Sequence, residues 1–172
     1  MHSVRNSVLL AMTDLVPVLL FASSMGILIA DTRNVVFAIG VGFVLAAALF
    51  QVIGKLIAAI RKQECVTKNQ TVFRPLMAVG LLLMVIGFIL MFRTGTLSGA
   101  FFRQYVMCHP AIVFLGFSIV GFCLMGVVRT QHSEEEFASS AALNWEAEGI
   151  HIFSQIFLLL TIVFTKINAG TL

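Results

Sequence analysis

The chain has 172 residues, of which 59% are hydrophobic and 11% are charged, and its mean hydropathy is +1.02. A soluble domain is about 25% charged, so this composition excludes an ordinary water-soluble globule. The high apolar content excludes a disordered chain, and three irregularly spaced cysteines exclude a disulfide scaffold. The net charge of +3 is typical of topology signals in membrane loops, so no nucleic-acid partner is expected. The remaining class is a small polytopic membrane protein.

Five apolar stretches follow one another along the chain. Crossing the hydrocarbon core of a bilayer takes roughly 20 residues, at about 1.5 Å per helical residue. The stretches comprise residues 7–30, 35–60, 75–92, 111–128 and 149–165. The first is too long for a signal peptide and carries Asp14 and Pro17, so it is interpreted as helix 1. The sequence therefore predicts an all-α bundle of five transmembrane helices in one domain.

Basic residues in the short loops predict the orientation, because Lys and Arg accumulate on the cytoplasmic side. With the N-terminus inside, seven basic residues fall at the cytoplasmic surface and four outside. The inner set is Arg5, Lys55, Arg61, Lys62, Lys68, Arg74 and Arg129, and the outer set is Arg33, Arg93, Arg103 and Lys166. We therefore expect a cytoplasmic N-terminus and an external C-terminus. The expected location is the cytoplasmic membrane of a bacterium.

Two local patterns predict helix ends and helix contacts. Pro75 suits a first helical turn, so helix 3 is expected to begin there, and Ser139 or Ser140 is expected to cap the helix leading into span 5. On helix 2, Ala38, Gly42 and Ala46 recur every four residues and share one face. Such small residues allow close helix approach, so this face predicts an internal helix contact or, alternatively, a homodimer interface.

Polar residues inside the spans provide the main functional evidence, because ionisable groups are costly in hydrocarbon. Asp14 lies in helix 1, and Gln51 and Lys55 lie four residues apart in helix 2. In helix 5 a polar stripe follows helical spacing and comprises Asn144, Glu148, His151 and Gln155. With the predicted helix directions, all three groups fall at a similar depth, in the cytoplasmic half of the bilayer.

Opposite charges on adjoining helices make an ion pair between Asp14 and Lys55 favourable, since pairing lowers the cost of burying both. A purely structural interpretation is also open. The pair could only link helices 1 and 2, Lys55 could extend to the headgroups, and Glu148 and His151 could be interfacial residues. The alternative is a polar pocket for a ligand, an ion or a proton.

Glu148 and His151 have the Glu-x-x-His spacing that di-metal helical bundles use twice. The second such pair is missing from this chain. A mononuclear site from Asp14, Glu148 and His151 is chemically allowed, but we expect no metal and no cofactor.

The preferred function is therefore a transport or ligand-binding component, with a pocket for a small polar or ionic ligand open to the cytoplasm. The expected lining residues are Asp14, Gln51, Lys55, Glu148, His151 and Gln155. One alternative is an integral-membrane enzyme acting on a lipid or isoprenoid, with Glu148, His151 or Asp14 as acid and base. Another is a non-catalytic subunit of a larger membrane complex. A five-helix chain without an internal repeat is expected to need a second copy or partner subunits for transport, in addition to the surrounding bilayer.

Overall fold

The computed structural model describes residues 8–61, 68–99, 102–132, 136 and 140–170. Every regular element in these ranges is helical. The elements whose bounds the structure describes are six α-helices and one short π-helical turn, Phe102–Val106. The α-helices are α1 (Val8–Thr13), α2 (Leu15–Thr32), α3 (Val35–Arg61), α4 (Lys68–Arg93), α5 (Ala111–Gln131) and α6 (Ala141–Asn168).

Five helical stretches are long and apolar enough to cross a membrane, which confirms the predicted fold class. Helices α1 and α2 together form the first stretch, and α3 to α6 supply the other four. The cytoplasmic position of the N-terminus stays a prediction. Among the basic residues used for it, Arg5 and Lys62 lie outside the described residues.

The predicted start of helix 3 at Pro75 is wrong, because α4 begins at Lys68 and contains Pro75 in its interior. The apolar window marks only the part of a helix that lies in hydrocarbon, whereas the helix itself continues through polar residues beyond it. Helix 5 shows the same effect, since α6 runs from Ala141 to Asn168. Its start agrees with the predicted serine cap, because Ser140 Oγ accepts a hydrogen bond from the Leu143 N–H at 3.3 Å; Ser139 lies outside the described residues.

Helix 1 is interrupted at Asp14, between α1 and α2. Pro17 explains the interruption, because a proline has no N–H to give to the carbonyl four residues earlier and its ring crowds that carbonyl. The carbonyl in question belongs to Thr13. Pro17 itself is fully buried. The interruption therefore lies at Asp14, whose side chain is buried in the bundle.

Helices α3 and α4 form one antiparallel hairpin with a very close backbone contact. A Cβ added to Gly40 would lie 2.8 Å from the Gly80 carbonyl oxygen, and one added to Gly80 would lie 2.9 Å from that of Gly40. Near the start of α3, Asn34 Oδ1 accepts a hydrogen bond from the Phe37 N–H at 3.0 Å. Its Nδ2 donates to the Gly87 carbonyl oxygen at 3.3 Å, which links the two helices.

The face of helix 2 that contacts another helix is not the small-residue face predicted from the sequence. Gly42 and Ala46 are exposed, and a Cβ on Gly42 would meet no atom within 4 Å. The contact with α4 uses Gly40 and Val44 instead. The prediction of an internal contact through Ala38, Gly42 and Ala46 is therefore wrong, because spacing identifies a face of a helix but not the neighbour that it meets.

Helices α5 and α6 form a second hairpin, and helix 1 lies between the two hairpins. Helix α2 packs on both α6 and α3, and α1 packs on α3. In the second hairpin, Ser118 Oγ donates to the Ser154 carbonyl oxygen at 3.0 Å, and a Cβ on Gly121 would overlap Ser154 Oγ. This close contact holds in place the face of α6 that carries the polar stripe.

Candidate functional site

The buried ion pair between helix 1 and helix α3 is the centre of the candidate site. Lys55 Nζ donates to Asp14 Oδ2. The Asp14 side chain is 7% exposed and that of Lys55 is 24% exposed. The packing of α1 on α3 brings the two groups together. The ion pair that sequence reasoning considered is therefore present.

Helix α6 adds a second carboxyl group and an imidazole to this pair. The Glu148 carboxyl lies within hydrogen-bonding range of Asp14, and the charges of Asp14 and Lys55 act on both Glu148 and His151. We refer to Asp14, Lys55, Glu148 and His151 as the Asp14 cluster. Its members come from three different membrane-spanning segments. Their proximity is what the predicted common depth requires, and the depth in the membrane itself stays a prediction.

Several oxygens of the site lack a hydrogen-bond partner. Within the described ranges, the buried side-chain atoms without one are Asp14 Oδ1, Glu148 Oε2 and Gln155 Oε1. Two ionised carboxylates are acceptors only, so Asp14 and Glu148 cannot satisfy each other unless a proton or another cation lies between them. Gln155 is 5% exposed and lies one helical turn beyond His151. Because buried polar groups normally have partners, these atoms are unusual.

Two other predicted polar residues are not joined to the cluster by a described contact. Gln51 is half-buried on α3, one turn before Lys55. Asn144 Nδ2 donates to the Ser140 carbonyl oxygen at 2.9 Å, so it belongs to the first turn of α6. The stripe on α6 therefore divides into Asn144, whose amide bonds back to the Ser140 carbonyl oxygen, and a second part in which Glu148 reaches Asp14.

Sequence reasoning counted Arg129 only as a topology signal. The structure places this exposed residue, near the end of α5, close enough for its charge to act on Glu148 and His151. The sequence did contain a signal for this role, since the end of the fourth predicted span, where Arg129 lies, and the start of the fifth have the same predicted depth.

In the part of the chain that the structure describes, no three His, Cys, Asp or Glu side chains are grouped so that they could hold a metal ion.

A second ion pair and a cavity occupy the opposite end of the bundle. Lys166 Nζ donates to Asp31 Oδ1 at 2.8 Å. The two residues lie at the edge of a cavity of about 750 Å³ with a mainly apolar wall, which includes Met25, Phe37 and Leu158. A smaller cavity of about 380 Å³ lies nearby, against Phe88 and Arg103. Neither of these two cavities is lined by a member of the Asp14 cluster, and sequence reasoning predicted neither.

Comparisons with protein-family models, characterised proteins and solved structures find no match for this chain.

Proposed function

We propose that the protein is a membrane-embedded binding or transport component and that the Asp14 cluster binds a small polar or ionic ligand. The observation that carries this proposal is the proximity of two carboxyl groups, one amine and one imidazole from three membrane-spanning segments, where Lys55 pairs with Asp14, Glu148 is in hydrogen-bonding range of Asp14, and His151 lies within reach of their charges. Ionisable groups cost about 2.5–3.5 kcal/mol each on insertion scales when they lie at the centre of a membrane helix. Four such groups at one place therefore favour a role beyond helix packing.

The composition of the cluster supports this proposal over a purely structural link. One ion pair between Asp14 and Lys55 would suffice to link helix 1 to α3. Glu148 adds a second carboxylate next to the first, which is unfavourable in a low-dielectric site unless something compensates it. A binding site explains this addition, because the compensation then comes from the ligand.

The inward position of Glu148 and His151 also separates the proposal from the subunit alternative. A subunit of a larger complex would use these groups on its outer surface, whereas here both lie where the charges of Asp14 and Lys55 act on them. With the orientation predicted from loop charges, the site opens toward the cytoplasm of a bacterial cell, and transport would involve a second copy or partner subunits.

Binding of three radiolabelled probes to the purified protein in nanodiscs tests the proposal. Methylammonium, acetate and glycine represent a cation, an anion and a zwitterion. We expect the wild-type protein to bind at least one probe, and the Asp14→Asn variant to lose that binding while remaining folded and monodisperse. Asp31→Asn is the matched control, because Asp31 is also on helix 1 and also paired with a lysine. Equal signals from the wild type and Asp14→Asn with all three probes would contradict the proposal.

A further inference from the structure

The Asp14 cluster contains more negative charge than its described partners neutralise. Asp14 and Glu148 carry two negative charges when ionised, and Lys55 carries one positive charge. Arg129 is exposed at the end of α5, and its charge acts on Glu148 from the surface of the bundle. His151 adds an acceptor nitrogen when it is neutral. Within the Asp14 cluster itself, two carboxylates therefore face one ammonium group.

The hydrogen bonds of the site show a similar imbalance, because several buried acceptor oxygens have no donor. Asp14 Oδ1 and Glu148 Oε2 are buried acceptors without a donor, and Asp14 is only 6% exposed. Gln155 Oε1 is a third such acceptor on the same face of α6 as Glu148. The site is therefore rich in oxygen acceptors and poor in donors.

We propose that the ligand of the Asp14 cluster is a small monovalent cation held between the Asp14 and Glu148 carboxylates. This inference rests on the proposed function and narrows its ligand class. A single positive charge balances the cluster, whereas a divalent ion would overcompensate it. An anion would face two carboxylates, and its own oxygens would add acceptors to a site that lacks donors. An alkylammonium ion, an alkali cation and a proton share the required charge.

Equilibrium binding of methylammonium and of sodium to the protein in nanodiscs tests the inference, with acetate and glycine as competitors. We expect methylammonium or sodium to bind and neither competitor to displace it. Glu148→Gln is expected to raise the Kd for the bound cation about thirtyfold or more, because truncating one buried partner of a charge pair costs at least about 2 kcal/mol. Glu146→Gln is the matched control, because Glu146 is an exposed residue of the same helix.

Two further measurements keep the test decisive. Glu148→Asp retains the carboxylate, so it should bind the cation even if Glu148→Gln fails to fold. Proton release into a weakly buffered medium distinguishes the cations. Release of about one proton per cation bound identifies the proton as the resident ion, and binding without release identifies the added cation.

Preferential binding of acetate or glycine would overturn this inference and leave the proposed function standing. An unchanged cation Kd in a folded Glu148→Gln variant would also overturn it, whereas failure of every probe to bind would contradict both proposals.

Discussion

The two ends of helix 1 carry the same kind of ion pair in very different surroundings. Asp14 pairs with Lys55 of α3, and Asp31 pairs with Lys166 of α6. The two aspartates are 17 residues apart, which corresponds to about 25 Å along a helix. The Asp14 side chain is 7% exposed, whereas that of Asp31 is 42% exposed. The Asp14 pair also has another carboxyl group, that of Glu148, in hydrogen-bonding range.

This comparison shows that residue type alone does not decide what an ion pair contributes. An exposed pair is worth about 0–1 kcal/mol, because water already solvates both charges. Breaking a buried pair by removing one partner costs about 3–5 kcal/mol, because an uncompensated charge stays behind. The Asp31 pair is therefore interpreted as a surface link at the edge of a cavity, and the Asp14 pair as part of a site.

The largest difference between the two ends is expected from removing each lysine. Lys55→Met should lower the free energy of unfolding by about 3–5 kcal/mol, because the neighbouring carboxyl groups of Asp14 and Glu148 then lose the ammonium group that pairs with Asp14. Lys166→Met should lower it by less than about 1 kcal/mol. Reversible unfolding of the purified protein in mixed micelles measures both. An equal loss of unfolding free energy in the two variants would show that the Asp14 and Asp31 pairs do not differ in their contribution to stability.

A double-mutant cycle with Asp14→Leu is the control for this prediction. If the loss in Lys55→Met comes from the unpaired Asp14 carboxylate, combining the two changes should recover a large part of it. A coupling free energy close to zero would show that the pair contributes nothing to stability and would remove it from the argument.

An intermediate effect is expected where α3 and α4 meet, between the two ends of the bundle. Gly80→Val should destabilise the protein by about 1–3 kcal/mol, because its Cβ would lie 2.9 Å from both the Gly40 carbonyl oxygen and the Val44 backbone nitrogen. Gly42→Val is the matched control, since a Cβ at Gly42 meets nothing within 4 Å. Thermal unfolding of both variants checks this. A similar result for the two would mean that α3 and α4 do not pack as described.

The smallest effect is expected at the start of α6, in the helix that carries Glu148. Ser140→Ala removes the hydrogen bond from the Leu143 N–H and should cost about 1 kcal/mol. Ser23→Ala is the control, because the exposed Ser23 hydroxyl only donates to the Leu19 carbonyl within its own helix. Hydrogen exchange of the first turn of α6 should rise in Ser140→Ala and stay unchanged in the control. Unchanged exchange in Ser140→Ala would contradict the capping role.

Sequence reasoning predicted the parts of the fold that depend on local patterns. Long apolar stretches indicated all five helices, and the serine before α6 indicated its cap. The errors concern Pro75 and the Ala38 face of helix 2. Whether a proline starts a helix or lies within it depends on the preceding turn, and which small residues make a contact depends on how neighbouring helices are rotated. Neither property is encoded in the spacing of residues along one helix.

The sequence by itself determined that this chain forms helices long and apolar enough to span a membrane, because hydropathy and helical rise depend only on composition and position. It also predicted a similar depth for the ionisable groups of three of these helices. The tertiary structure alone decided which groups meet: Asp14 turns toward Lys55 and Glu148, whereas Asp31 stays at the surface beside an apolar cavity. The physical reason is that depth follows from counting residues along an axis. Contact between side chains depends instead on the rotation of each helix, and this rotation follows from packing at Gly40, Gly80 and Gly121.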